Sequence, residues 1–306
     1  MTGRRLRRAL EGVLLAAAPL ALADCTIASS CSEGPSLPTA RLLAVDASLA
    51  SGGPLSAAQC DDVCNEFSTG VVTCVRQSAE SVLCITHPLP CEGRRPVGLR
   101  RASARADSDF QRHLVEAAWL EAASVAAFRV LRAELRAHGA PRHLLRAASR
   151  SQRDERRHAR ASRALARRFG SSVPAVERSA SPLRPLVAIA LESAVEGCVR
   201  ETWGALIALR QARRASELGV RSTLSRIARD EVRHAELAWQ VDGWLSSRLS
   251  KAERRSVLGA RAAALAELAR EIRVTLPKAE RDRLGLPGPA EATQMLAGLE
   301  RELALV

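Results

Sequence analysis

Arg153-Asp154-Glu155-Arg156-Arg157-His158-Ala159 and Arg229-Asp230-Glu231-Val232-Arg233-His234-Ala235 spell one pattern twice, Arg-Asp-Glu-x-Arg-His-Ala. The copies sit inside a longer repeat: residues 149–164 and 225–240 align at a shift of 76 and match at 8 of 16 positions. Residues of the expected buried face recur every three to four positions around each copy. The first runs Leu144, Ala148, Ser151, Glu155, His158, Ser162, Leu165, Phe169; the second runs Leu224, Ile227, Glu231, His234, Leu237, Val241, Leu245. That is the period of a helix with one face in a core. In both copies a glutamate and a histidine occupy positions that burial would ordinarily reserve for leucine or valine.

Each copy follows another helix. Leu114, Ala117, Glu121, Val125, Phe128, Leu131 and Leu135 form a stripe that ends at His138-Gly139-Ala140-Pro141, with Glu121 a lone acid at its centre. A third helix is expected from about Leu186 to Ser216, with Gly219 marking the turn into the fourth. The Pro-containing stretch Ser172 to Pro185 is long enough to cross from the first hairpin to the second. Two helical hairpins joined by a long crossover make a four-helix bundle. More helices are expected around 251–273 and 290–304, separated by Pro277 and Pro287-Gly288-Pro289.

Glu155 and His158 are three residues apart, so they stand about 60° apart on one helix face. Glu231 and His234 repeat this. Several carboxylates converging on one core require compensating charge, which a pair of divalent metal ions supplies. Carboxylate and imidazole donors suit iron and manganese better than soft metals. The competing explanation is a set of buried hydrogen bonds between these residues and arginines. Asp154 and Asp230, each directly before a metal-type glutamate, argue against it.

Glu121, Glu155-x-x-His158, a glutamate of the third helix and Glu231-x-x-His234 resemble the ligand set of the ferritin-like di-iron carboxylate proteins, over roughly residues 108–248. More closely, Glu121-Ala-Ala-Ser124, Glu196-Gly-Cys-Val-Arg-Glu201-Thr and Asp230-Glu-x-x-His-Ala-Glu-Leu-Ala-Trp239 are similar to a bacterial family of exported ferritin-like domain proteins. The Gly93-Arg94-Arg95-Pro96 boundary and a cysteine-rich head belong to the same resemblance. It implies an all-α fold with two bound iron ions, or manganese in their place. It also implies that Asp154 and Asp230 accept the histidine N–H on the opposite helix, which would fix each ring for metal binding.

Three glutamates of the third helix compete for one ligand role. Glu196 lies 35 residues before Glu231, close to the 34 between Glu121 and Glu155, whereas symmetry of the hairpin about Gly219 favours Glu201. Five residues turn an α-helix by about 140°, so both acids cannot face the core. Glu201, followed by the small face of Gly204, Ala205 and Ala208, is the expected ligand, with Glu196 next and Glu192 third.

Composition bounds the function. The chain has 306 residues, 46 Lys+Arg against 33 Asp+Glu, and a net charge of +13. Ala, Leu, Arg and Glu dominate, which favours helices. Only two of the basic residues are lysine, and tyrosine is absent. Arg, Ala, Gly and Pro share GC-rich codons, so part of the basic excess reads as coding bias. Aromatics are 3% and the arginines are spread among acids; no clustered basic stripe or stacking platform points to nucleic acid. Attraction to an anionic envelope surface is expected instead. Without tyrosine, a tyrosyl-radical role is excluded.

Arg4, Arg5, Arg7 and Arg8 followed by the apolar run Val13 to Ala23 read as an export signal over residues 1–24. Leu22-Ala23-Asp24-Cys25 resembles a bacterial lipobox, in which Cys25 would carry lipid; Asp24 departs from the usual small residue, and cleavage after Ala23 is the alternative. In an oxidising compartment Cys31, Cys60, Cys64, Cys74, Cys84 and Cys91 read as three disulfides of unassigned pairing. Cys198, within the third helix, reads as a buried thiol. The expected organisation is a signal (1–24), a cysteine-rich, loop-rich head (25–98), a linker (99–107), the bundle (108–248) and a C-terminal helical extension (249–306). His87, His113, His138 and His143 are expected at the surface or in loops, and Trp119, Trp203, Trp239 and Trp244 in packing roles.

The expected function is redox chemistry on dioxygen or peroxide in the periplasm or on its membrane. No catalytic residue is assigned beyond the metal ligands, and sustained turnover would need an external electron donor. Iron sequestration in an oligomeric cage, and a structural envelope protein with a relic site, are the rival readings.

Overall fold

The structure is a computed structural model that describes residues 3–17, 39–44, 71–78, 81–87, 94–96, 99–100, 106–178, 182–273 and 276–304. It is mostly helical. Helix α1 spans Gly3–Ala16, α2 Asp109–Ala137, α3 Arg142–Arg168 and α4 Leu186–Glu192. The chain then continues through a π-helical segment, Ser193–Glu201, into α5, Thr202–Arg214. Helix α6 spans Leu218–Ser246, α7 Lys251–Glu271, α8 Lys278–Leu284 and α9 Pro289–Ala304.

Local chemistry sets the ends. Ser108 caps α2 by accepting the Gln111 N–H at 3.2 Å, and Gly139 takes the positive φ (70°) that turns the chain back into α3. Ser250 and Glu253 form a reciprocal capping box at the start of α7. Helix α6 begins earlier than expected. Glu217 is its cap, accepting the Gly219 N–H at 3.3 Å, so Gly219 lies within the first turn of the helix. It is small because Leu165 of α3 crosses there: a Cβ at 219 would stand 3.2 Å from Leu165 Cδ1.

Helix α2 packs along α3, and α6 packs along α5, the π segment and α3. Apolar residues concentrate at the two ends of these helices. One cluster gathers Phe128, Leu131, Leu135, Leu144, Ile189 and Leu245; another gathers Phe110, Leu114, Leu165, Val220 and Leu284. The middle turns of α2, α3 and α6, which carry Glu121, Glu155, His158, Glu231 and His234, fall between the two. A third cluster backs the π segment, α5 and α6 from outside, where Leu6, Leu10 and Val13 of α1 pack with Trp203, Trp239, Met295 and Leu299. Thus the part of the expected export signal that the structure describes is a helix seated on α5, α6 and α9.

The expected C-terminal helices are α7 and α9, with the short α8 between them unforeseen. The head is not wholly loop: strands β1 (Thr39–Ala44), β2 (Val71–Ser78) and β3 (Ser81–His87) form an antiparallel sheet in the order β1-β3-β2. Its register sets Cys74 opposite Cys84. Cys25, Cys31, Cys60, Cys64 and Cys91 lie outside the described residues. Strand β4 (Leu99–Arg100) pairs antiparallel with β5 (Glu177–Arg178), so the linker meets the crossover. No helix among the described residues is long and apolar enough to cross a membrane.

Candidate metal centre

The two Glu-x-x-His copies face each other across α3 and α6. One donor atom from each of Glu155, His158, Glu231 and His234 lies within 4.8 Å of all the others, and the four residues are buried. Each glutamate spans both rings. Glu155 places Oε1 at 3.0 Å from His234 Nδ1 and Oε2 at 3.7 Å from His158 Nδ1. Glu231 Oε1 is 3.0 Å from His158 Nδ1 and 3.6 Å from His234 Nδ1. Both Nδ1 atoms lack a hydrogen-bond partner, as do Glu155 Oε2 and Glu231 Oε1. Buried polar atoms are ordinarily satisfied, so this concentration of unpartnered donor and acceptor atoms at one point fits a metal ion that they would share.

The outer nitrogens face aspartates of the opposite helix. His158 Nε2 is 3.2 Å from Asp230 Oδ2, within hydrogen-bond reach, whereas His234 Nε2 stands 3.6 Å from Asp154 Oδ2 and makes no hydrogen bond. The His158 contact favours a proton on Nε2 and leaves Nδ1 directed inward; Asp154 is placed to do the same for His234 at closer approach. The aspartates are tied in turn by a pair of arginines that sequence reading left out. Arg157 reaches Asp154 at 2.6 Å and Asp230 at 3.1 Å; Arg233 bonds Asp230 and reaches Asp154 at 3.2 Å. The repeat had carried this quartet openly, as Asp-x-x-x-His and Asp-x-x-Arg in both copies.

Glu121 of α2 joins on one side, its Oε2 3.4 Å from His158 Nδ1. Glu201 stands at the end of the π segment, near enough to be influenced by the charges of His234, Glu231 and Glu155. It is 2% exposed, and neither of its carboxylate oxygens has a hydrogen-bond partner. Burial and the nearby charges of Glu231 and Glu155 push its carboxyl up to about 8, against the pull of His234. The turn at Ala215–Glu217 explains its height: Glu201 lies 15 residues before Ser216 and Glu231 lies 15 after it.

Glu196 does not occupy a position turned away by 140°, as an α-helical count required. In a π-helix the i→i+5 hydrogen bond brings residues five apart into register, so Glu196 and Glu201 lie on one side of the segment. Glu196 is held elsewhere, accepting the Arg95 N–H at 3.2 Å and standing 3.8 Å from Arg200 Nε. Glu192 is likewise occupied, in a two-bond pair with Arg94.

Among the other residues singled out, Cys198 is buried, and burial raises its thiol pKa well above the usual range. His113 is not at the surface: it is 6% exposed in α2, and burial pushes its pKa down to about 4. His138 ends α2 with its Nε2 2.8 Å from the Arg184 carbonyl oxygen, and His143 is exposed. Trp203 and Trp239 are buried, and Trp239 donates to Thr202 Oγ1 at 3.1 Å.

No protein-family model, curated protein or solved structure matches the chain. The site therefore stands on its own geometry, which can hold a metal ion between Glu155, His158, Glu231 and His234.

The cross-helix contacts give the first prediction. Asp154→Asn and Asp230→Asn should each weaken Fe²⁺ or Mn²⁺ binding by roughly 10–100-fold while leaving the circular dichroism spectrum intact. Unchanged affinity in both variants, measured by competitive chelator titration, would show that the aspartates do not orient the rings.

The second concerns pH. In metal-stripped protein, burial alone would lower the pKa values of both histidines. The surrounding carboxylates win, holding His158 and His234 well above 6.5. A raised histidine pKa contributes its full stabilisation below 6.5 and loses it as pH rises towards the folded-state value. The raised carboxyl pKa values of Glu121 and Glu201 act in the same direction above 4.5. Metal-stripped protein should therefore lose stability between pH 6.5 and 9. Metal affinity should rise over that range, because binding displaces the imidazole protons. A urea midpoint that stays flat or climbs from pH 6.5 to 9 would refute the linkage.

Proposed function

We propose that the chain is an exported di-metal protein of ferritin-like four-helix architecture, whose iron or manganese pair carries redox chemistry on dioxygen or peroxide. The observation that carries this reading is the set of inward-facing, unpartnered atoms on Glu155, His158, Glu231 and His234, with Glu121 at the His158 side and Glu201 buried with both oxygens unpartnered. Four carboxylates and two imidazoles match the demand of two divalent ions. When bound, such a pair compensates the carboxylate charge and supplies two electrons from adjacent positions to an oxidant.

The protein's own part is placement. Glu155 and Glu231 each reach both histidine rings and would be shared between the ions, while Glu121 and Glu201 would each serve one. Asp230 holds the Nε2 proton of His158, and Asp154 faces Nε2 of His234. The Phe128 ring, 5.1 Å from the ring of His234, sets apolar packing against the site and excludes water on that side. No tyrosine is present to store a radical.

Export is supported by Arg4, Arg5, Arg7 and Arg8 ahead of the apolar run Val13 to Ala23, and lipid attachment at Cys25 by Leu22-Ala23-Asp24-Cys25. Processing there would remove α1 from its seat on α9 and place the molecule at the membrane surface of the periplasm. Cys31, Cys60, Cys64, Cys74, Cys84 and Cys91 would then be paired.

The deciding experiment loads metal-stripped protein with Fe²⁺ or Mn²⁺ and follows its melting temperature and peroxide consumption. Two ions per chain should bind and stabilise the fold, by about 2.7 kcal/mol for each site when the free ion is 100-fold above its Kd. Glu155→Ala should lose this increment and the peroxide consumption together. If the wild type gains nothing from either metal, the metal reading fails; if it binds two ions and is inert to dioxygen and peroxide, the redox reading fails.

Counting metals per chain also separates the third-helix acids. Glu201→Gln should drop below two ions, and Glu196→Gln should keep both. The opposite pattern would make Glu196 the ligand.

A further inference from the structure

The segment Arg94–Pro96 is not helical, and Arg94 and Pro96 are buried. Arg94 is 1% exposed. Its Nε and Nη2 donate to the two oxygens of Glu192 at 2.9 and 2.7 Å, across 98 positions of sequence. Its carbonyl oxygen accepts the Ser124 Oγ–H at 3.1 Å, which fastens the same residue to α2. The next backbone N–H, of Arg95, takes Glu196. Gly197 makes room: a Cβ there would lie 3.4 Å from Arg94 Nη1 and 3.0 Å from the Cβ of Ala238. One short stretch at the end of the head therefore occupies two of the three glutamates carried by α4 and the π segment, and the third, Glu201, keeps both oxygens unpartnered.

We propose that Arg94 is a positioning residue of the metal centre: with the Arg95 N–H, it holds Glu192 and Glu196 away from the ligand set and leaves Glu201 as the acid that meets the metal. This rests on the metal reading above. It adds that the choice among three nearby carboxylates is made by a residue remote in sequence and not itself a ligand. A buried carboxylate that loses its cation seeks another. Without Arg94, Glu192 would compete for the metal and Glu196 would lose its anchored neighbour.

The test uses the full chain with Co²⁺ as spectroscopic probe, reading its visible absorption, the number of ions per chain and the affinity. Wild type and Glu192→Gln should give the same Co²⁺ spectrum, since Glu192 is not a ligand. Arg94→Met should shift the spectrum and weaken binding roughly 10–100-fold, the usual loss when an outer-shell partner goes. The double variant Arg94→Met/Glu192→Gln, which removes both charges of the buried pair, should recover the wild-type spectrum. A purely structural Arg94 would lower the melting temperature and leave spectrum and affinity unchanged, and that result overturns the proposal. A changed spectrum in Glu192→Gln alone overturns it too, and this arm stands even if Arg94→Met fails to fold. A wild type that takes up no Co²⁺, Fe²⁺ or Mn²⁺ removes the metal reading itself, which separates that failure from the failure of Arg94.

Discussion

Mutual repulsion among Glu121, Glu155, Glu201 and Glu231 is the constraint to which the rest of the structure answers. Four acids share one buried volume midway along the helices, where an uncompensated charge costs several kcal/mol. The fold supplies cations in layers. Nearest are the imidazoles of His158 and His234, each among two or three carboxylates. Beyond them Arg157 and Arg233 close the α3–α6 face, and Arg94 enters from the side of the π segment. In metal-free protein the imidazoles must carry protons to serve. Metal ions would take over that role and leave the rings neutral, as ligands.

Because the two halves repeat, each helix completes the other's site. Asp154 serves the histidine of α6 and Asp230 the histidine of α3, and Arg157 and Arg233 each touch both aspartates. Neither Glu-x-x-His turn assembles the buried cluster alone. Its ring is oriented from across the interface, so the α3–α6 contact is at once a packing contact and the frame of the site. The partner helices break the symmetry. Glu121 lies on a regular α-helix, whereas Glu201 sits at the end of a π segment.

The helices and most of the site could be read from the sequence because both rest on local periodicity. Glu155, His158, Glu231 and His234 declared themselves as ionisable groups inside apolar stripes, whereas the crossed role of the aspartates came from the resemblance rather than from the spacing. What could not be read depended on departures from the 100° rule or on distant contacts. The α-helical count put Glu196 and Glu201 on different faces, and the i→i+5 geometry of Ser193–Glu201 removed that difference. Gly219 looked like a turn and is a close-packing residue facing Leu165. His113 lacked an obvious partner and so looked superficial; it is buried without one for its Nδ1. The three-stranded sheet pairs segments such as Val71–Ser78 whose alternation is short and broken by polar residues.

The arginines need the largest revision. Their abundance reads as codon bias, and for many exposed ones that account suffices. It fails for Arg94, Arg184, Arg200 and Arg210, which bond the two oxygens of Glu192, Glu134, Glu271 and Glu291 through two nitrogens each. A planar fork with two parallel donors does this, and the single ammonium of lysine does not. Two of the four lie in connecting segments rather than helices: Arg94 before α2, and Arg184 in the crossover, 3.6 Å from the Glu192 that Arg94 holds. Glu134, Arg184, Glu192 and Arg94 thus form an alternating chain of charge that ties both connections to the helices beside the site. Whatever share of the arginines coding bias accounts for, the fold puts these four where two-point recognition of a carboxylate is required.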